Sequence, residues 1–175
     1  MDASGVSVAV APWRNWAGNQ RARAAGVARP GSVEEVAAAI RSADQAGRQR
    51  ALLHRHRSTD DLRLDLSGLA GLVSVDRAER LATVQAGMTL RALNEALAGH
   101  GLALPNLGDI DAQTIAGAIS TGTHGTGAAY GCLSTFVAGL TLVTGSGEVL
   151  RCSALTRPDV FAAAGRLGGH RGGPG

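Results

Sequence analysis

Apolar residues recur at helical spacing in two stretches of the chain. Between Ser32 and Gly47 they fall on one face of a helix, and Ser32 with Glu35 forms a capping box at its start. The second stretch begins at Thr89, a candidate N-cap, and ends at Gly101. The pattern therefore predicts two amphipathic helices. Their buried faces are Val33, Val36, Ala37, Ile40 and Ala43 in the first helix and Leu90, Leu93, Ala96 and Leu97 in the second.

Short apolar or alternating runs on either side of these helices predict strands. The first helix follows one such run and precedes another, which is the opening of an α/β unit. Two other runs are joined by the polar residues 77–80, and this four-residue link is typical of a hairpin. The predicted strands are 26–30, 51–53, 62–66, 72–76, 81–86, 136–144 and 148–152, with a turn at 145–147 and a last helix over 158–164.

The composition is that of a globular chain with a core of small aliphatic residues. Of the 175 residues, 45% are hydrophobic and only 3% are aromatic, which fits one domain or one domain and a piece of another. The net charge is +3, but the arginines are spread along the chain. Nucleic-acid binding requires a clustered basic face, so we expect no such partner. We expect a leader at 1–12, a domain at 13–164 and a disordered tail at 165–175.

The cysteines and the hydropathy bear on the compartment. Cys132 and Cys152 have no paired spacing, which favours a reducing cytoplasm over a compartment where disulfides form. No apolar run approaches the ~20 residues of a transmembrane helix. We therefore expect a cytoplasmic protein, with peripheral membrane association as the alternative.

The segment 105–127 concentrates the candidate chemistry. It holds five glycines and five hydroxyl side chains, with no lysine or arginine. A short helix is predicted from Thr114 to Ser120, capped by Asp111 or Thr114, and its start would offer free amides to a ligand. Glycine allows close approach of the backbone, since no Cβ intervenes. The segment therefore favours a phosphate-bearing cofactor held by backbone donors.

The sequence lacks the motifs of several other binding and catalytic sites. A mononucleotide P-loop ends in Gly-Lys-Ser/Thr, and this segment has no lysine. The dinucleotide fingerprint and the Gly-x-Ser-x-Gly nucleophile elbow need glycine spacings and strand–turn–helix contexts that are absent here. His54 and His56 could share one strand face, but without a third ligand we expect no metal site.

Separate segments of the chain together form a family pattern. The first are Asn15–Asn19, Leu64–Leu69 and Val84–Met88, and the longest is Gly101–Asp111 continuing into Gln113–Gly127. Residues 142–149 extend it. This pattern resembles flavin-dependent oxidases of the vanillyl-alcohol oxidase and p-cresol methylhydroxylase superfamily, and within it the sugar-lactone and alditol oxidases.

The resemblance implies an α+β fold: a FAD-binding domain of the p-cresol methylhydroxylase type, with two small α/β subdomains, here truncated at its C-terminus. It implies FAD as cofactor and oxidation of a CH–OH group in a polyol or sugar lactone, with molecular oxygen or another electron acceptor. The catalytic base is not implied. By position, the cofactor-binding residues are Asp109, Thr114, Gly117, Thr121, Gly122, Thr123 and His124.

Alternatives remain for the residues and for the function. His124 is equally a loop-bracing residue, and Thr114 and Thr121 are equally simple helix caps. Family members carry a Gly-x-Gly-His-Ser loop after the second strand, whose histidine is often joined to the flavin, and segment 51–59 lacks it. A non-catalytic or unstable flavin-binding remnant is therefore the alternative function. A flavin reductase of cell-wall precursor synthesis fits 101–127 less well.

Overall fold

The computed structural model describes residues 6–7, 13–14, 18–19, 21–22, 24, 26–46, 50–52 and 62–166. The chain divides into two compact units, one of residues 1–68 with 143–150 and one of 69–142 with 151–175. The strands are β1 Val6–Ser7, β2 Trp13–Arg14, β3 Arg21–Ala22, β4 Gly26–Ala28, β5 Arg50–Leu52, β6 Leu62–Leu64, β7 Leu72–Asp76, β8 Leu81–Val84, β9 Gly139–Val143 and β10 Val149–Ser153. The helices are α1 Val33–Gln45, α2 Leu90–Gly99, α3 Ile115–Ser120 and α4 Pro158–Arg166, with 3-10 turns at Leu66–Gly68 and Leu133–Phe136.

A four-stranded sheet forms the frame of the first unit, in the order β1-β4-β6-β5. Both β4 and β5 run parallel to β6, while β1 runs antiparallel to β4. Since α1 connects β4 to β5, the predicted α/β unit is confirmed, with β6 placed between its two strands. The buried side chains of this unit include Val27, Ala28, Val36, Ala37, Ile40, Ala43, Leu62 and Leu64.

The start of α1 carries the predicted capping residues in a modified arrangement. The amide of Glu35 donates to Ser32 Oγ at 3.1 Å. The Glu35 carboxylate does not return to Ser32; its Oε2 accepts from the amide of Gly31 at 2.8 Å. The cap therefore satisfies one amide within the helix and one just before it, which fixes the path of the chain into α1.

The structure differs from the expected ends of the domain. Val6–Ser7 pairs with Val27 and Ala28 as an edge strand, so this part of the expected leader is a strand of the sheet. At the other end, α4 continues to Arg166, two residues into the expected tail. His54 and His56 lie outside the described residues, as do residues 167–175.

The second unit is built around α2 and the β7–β8 hairpin. The hairpin is antiparallel, as predicted, and Asp76 Oδ1 accepts from the amides of Ala78 and Glu79 in its turn. Thr89 caps α2 through a 3.2 Å bond from the amide of Ala92. No helix in the described part of the chain has the length and hydropathy of a membrane span. Among the described residues, two buried clusters lie in the core of this unit, one of Met88, Leu93 and Leu97 and one of Leu90, Ala118 and Leu133.

The predicted turn at 145–147 is confirmed in the first unit. The amide of Thr144 donates to Glu148 O, and that of Gly147 donates to Thr144 O. Gly147 has a φ of +78°. Arg41 of α1 donates from Nη1 to Gly147 O at 2.9 Å, which attaches the turn to the helix.

Candidate functional site

Helix α3 opens the glycine-rich part of the candidate site, and Thr114 is its N-cap. The Thr114 hydroxyl accepts from the amide of Gly117 at 3.2 Å. Of the two residues predicted as possible N-caps, Asp111 and Thr114, the threonine is therefore the cap. Asp111 lies before the helix and instead accepts two hydrogen bonds from the guanidinium of Arg91. Thr114 therefore has a structural task whether or not a cofactor is bound.

The first amides of α3 are not available to a ligand. The amide of Ile115 donates to Met88 O at 2.8 Å, and that of Ala116 donates to Ala86 O at 3.0 Å. The third, from Gly117, is taken by Thr114. The prediction that the helix start offers free amides is wrong, because the backbone before α2 already accepts from them. Backbone donors for a ligand, if this segment supplies them, must therefore lie beyond residues 115–117.

The end of α3 turns the chain into a loop of residues 122–127, named here the glycine loop. The amide of Thr123 donates back to Ala118 O at 3.2 Å, and Gly122 has a φ of +66°. This is the Schellman ending, in which the residue after the C-cap must adopt the left-handed conformation that glycine favours. Gly122 is thus required by the geometry of the helix end.

The glycine loop packs directly on residues 106–108. Asn106 donates from Nδ2 to Thr126 O at 3.0 Å and accepts from the amide of Leu107 at 2.9 Å. A Cβ on Gly125 would overlap Leu107 O and Asn106 Oδ1. A Cβ on Gly108 would lie 3.0 Å from the carbonyl oxygen of His124 in the glycine loop. These glycines therefore let two protein segments approach each other. The sequence interpretation, which assigned the glycines to ligand approach, missed this and missed Asn106.

The glycine loop presents amides that lack protein acceptors. Among the described residues, no group accepts from the amides of residues 124–127. Successive free amides in an irregular loop form a concavity that suits anionic oxygens. Asp109 is the exposed carboxylate near this loop, and it has no hydrogen-bond partner within the described residues. Free amides, which were predicted for the helix start, are found in this loop instead.

A chain of hydrogen-bonding side chains lies beside the glycine loop. The Thr121 hydroxyl donates to Gly117 O at 2.9 Å and lies 3.3 Å from the Thr123 hydroxyl. Thr123 in turn donates to Gln113 Oε1 at 3.2 Å. Gln113 was not among the predicted site residues, since nothing in its local sequence indicates a contact ten residues away.

His124 is exposed and makes a local contact. Its Nδ1 lies 2.9 Å from Gly125 O, within the same loop. This contact agrees with the alternative predicted for His124 from the sequence, a residue that braces the loop. Hydrogen bonds and the helix itself join six of the predicted cofactor-binding residues into one continuous segment, while the seventh, Asp109, adjoins it through Gly108. Those six are Thr114, Gly117, Thr121, Gly122, Thr123 and His124.

An ion pair attaches the beginning of this segment to α2. Arg91 Nη2 lies 2.9 Å from Asp111 Oδ1, and the amide of Arg91 donates to Asp111 O. The hydrogen bonds from the Arg91 guanidinium hold the pKa of Asp111 below its usual range. The same contact with Asp111 raises the pKa of Arg91.

We expect the Asp111→Asn variant to lose a pH-dependent part of the stability. Because the pKa of Asp111 is lower in the folded state, the carboxylate contributes stability above its unfolded value of about 3.9, and this is lost as the pH falls through the folded value. Thermal unfolding of both proteins between pH 2 and pH 7 measures this. The wild-type protein should be more stable at pH 7, with the difference vanishing at the acid end. An equal difference at both ends would contradict the assignment.

Comparison with known proteins places this arrangement in a family. The model of the FAD binding domain matches residues 24–153. The L-gulono-1,4-lactone dehydrogenase of Mycobacterium tuberculosis is 40% identical over 158 residues, which cover 87% of this chain and 36% of the relative. The D-arabinono-1,4-lactone oxidase of Yarrowia lipolytica is 36% identical over 169 residues, covering 89% and 32%.

A solved structure agrees with the sequence relatives. The 6-hydroxy-D-nicotine oxidase of Arthrobacter nicotinovorans superposes with a TM-score of 0.75 at 27% identity, covering 84% of this chain and 34% of the other. The chain thus spans about a third of the length of the proteins it matches. The fold predicted from the resemblance is confirmed, and so is FAD as cofactor. The chain belongs to the FAD binding domain family.

Proposed function

We propose that this chain is the FAD-binding part of an oxidoreductase that oxidises a CH–OH group of a sugar-1,4-lactone. The structural observation that carries the proposal is the row of unpartnered amides in the glycine loop, beside the Thr121 and Thr123 hydroxyls. The names of the relatives support the substrate class, since they are sugar-lactone dehydrogenases and oxidases.

The described residues would hold FAD through uncharged donors. The amides of residues 124–127 and the Thr123 hydroxyl, when Gln113 does not accept its proton, would donate to phosphate or carbonyl oxygens of the cofactor. Bound FAD would supply the hydride acceptor for the oxidation of a carbinol carbon to a carbonyl. Asn106 holds the glycine loop in place through Thr126 O. The Arg91–Asp111 pair holds the segment before α3.

The proposal also covers the electron acceptor and the choice between a lactone and an open-chain alditol as substrate. One relative is named a dehydrogenase and another an oxidase, so oxygen and an artificial acceptor both have to be tried. We propose molecular oxygen as the acceptor. The aspartate at position 109 supports a lactone rather than an open-chain alditol, because the resembling alditol oxidases carry a serine there.

The test uses the full chain loaded with FAD. Under anaerobic conditions, L-gulono-1,4-lactone or D-arabinono-1,4-lactone should bleach the visible flavin band, and admitting oxygen should restore it. Xylitol serves as the open-chain comparison and should bleach the band more slowly. Flavin that is bound but stays oxidised with every lactone would support the non-catalytic remnant instead. Bleaching that is reversed by a dye and not by oxygen would correct the acceptor alone.

A further inference from the structure

The three contacts that connect Gln113, Thr123, Thr121 and Gly117 share too few protons. Each threonine hydroxyl carries one proton, and the Gly117 carbonyl can only accept. Thr121 gives its proton to Gly117 O, and Thr123 gives its proton to Gln113 Oε1. The 3.3 Å contact between the two hydroxyl oxygens is then left without a proton.

Rotation of the Gln113 amide group removes this shortage. The amide nitrogen and oxygen have nearly the same size, so a half turn places Nε2 where Oε1 lies, 3.2 Å from the Thr123 oxygen. Nε2 then donates to Thr123, so that in the free protein the Thr123 proton fills the contact with Thr121. When a ligand is bound, one of its oxygens can take the same proton in place of Thr121. Within the described residues, the Gln113 amide group makes no other hydrogen bond that would prevent the turn.

We propose that Gln113 is a positioning residue for the cofactor: its amide donates to Thr123 and so directs the Thr123 proton to an oxygen of FAD. The proposal rests on the contact between Thr123 and FAD that belongs to the proposed function. Gln113 is half-buried and acts through its contact with Thr123. A side chain at position 113 that can only accept would take the Thr123 proton. The Thr123 hydroxyl could then no longer donate a hydrogen bond to FAD.

In the Gln113→Glu variant, the affinity for FAD should depend on pH, because the side chain can donate to Thr123 only when it is protonated. A carboxylate can only accept, whereas a protonated carboxyl can donate as the amide does. The ratio of the FAD dissociation constants of variant and wild type should rise from near one at pH 4 to about ten at pH 7, the factor expected when one hydrogen bond to a charged oxygen is lost. Flavin fluorescence titration measures the constants, and the ratio cancels every pH effect that the two proteins share.

The control variant is Gln85→Glu, whose side chain accepts from the amide of Gly71 outside the glycine-rich segment. It should show the wild-type affinity at every pH. Circular dichroism at each pH verifies that the proteins are folded. A flat ratio for Gln113→Glu, a rise shared by Gln85→Glu, or folded Gln113→Glu protein that stays weak at pH 4 would each overturn the proposal.

A second measurement needs no titration. If Gln113 acts through Thr123, the double variant Gln113→Leu with Thr123→Val should bind FAD no more weakly than Thr123→Val alone. Additive losses would overturn the proposal even where Gln113→Glu is unfolded at low pH. Absence of FAD binding by the wild-type protein would instead contradict the proposed function, so the two failures are distinguishable.

Discussion

Replacing Gly125 with alanine is expected to weaken FAD binding by more than about tenfold and to destabilise the protein by about 1–3 kcal/mol. The added Cβ would overlap both Leu107 O and Asn106 Oδ1. Neither group can withdraw easily, since one is backbone and the other belongs to the side chain that holds Thr126. The glycine loop must therefore move away from residues 106–108, and its amides lose their positions.

The measurement pairs FAD titration with chemical denaturation of the apo protein. Gly99→Ala is the matched control, since Gly99 is the last helical residue of α2 and nothing lies within 4 Å of an added Cβ. That variant should bind FAD normally and gain up to about 1 kcal/mol, because alanine is the better helix former. Wild-type affinity in Gly125→Ala would show that the packing of the glycine loop is not what presents its amides.

Truncating Leu97 to alanine should cost about 2–5 kcal/mol of stability. Leu97 is 4% exposed and belongs to the cluster with Met88 and Leu93 on the inner face of α2. The loss combines the transfer of the removed methyl groups with the cavity that remains. FAD at about 100 times its dissociation constant should return about 2.7 kcal/mol, because it binds only the folded chain.

Leu155 provides the comparison for this variant, because it is 96% exposed. Leu155→Ala should change the unfolding free energy by less than about 0.5 kcal/mol. Urea unfolding of the wild-type protein and of both variants, with and without FAD, measures these differences. If Leu97→Ala were as stable as Leu155→Ala, the assignment of α2 to the core of the second unit would be wrong.

The helices and their ends could be predicted from the sequence because their determinants are local. Ser32 and Thr89 act as caps as their positions indicate, and the apolar faces of α1 and α2 are buried. Gly101, with a φ of +71°, ends α2 as predicted. Each of these features is fixed by side chains within about one helical turn of each other, which the hydrophobic and polar pattern records directly.

The candidate site was less predictable because its contacts cross the chain. The amides of Ile115 and Ala116 are taken by carbonyls of residues 86 and 88, and no local pattern reveals such a partner. Asn106 and Gln113 contact residues that are twenty and ten positions away. The family pattern indicated the segment correctly, but only the fold shows which of its amides are free.

Amide hydrogen exchange with and without FAD tests the central assignment, that the glycine loop and not the start of α3 receives the cofactor. We expect the amides of residues 124–127 to exchange rapidly in the free protein and to become protected when FAD binds. The amides of Ile115–Gly117 should already be slow, since protein groups accept from them. New protection confined to Ile115–Gly117, with no change at 124–127, would contradict the account.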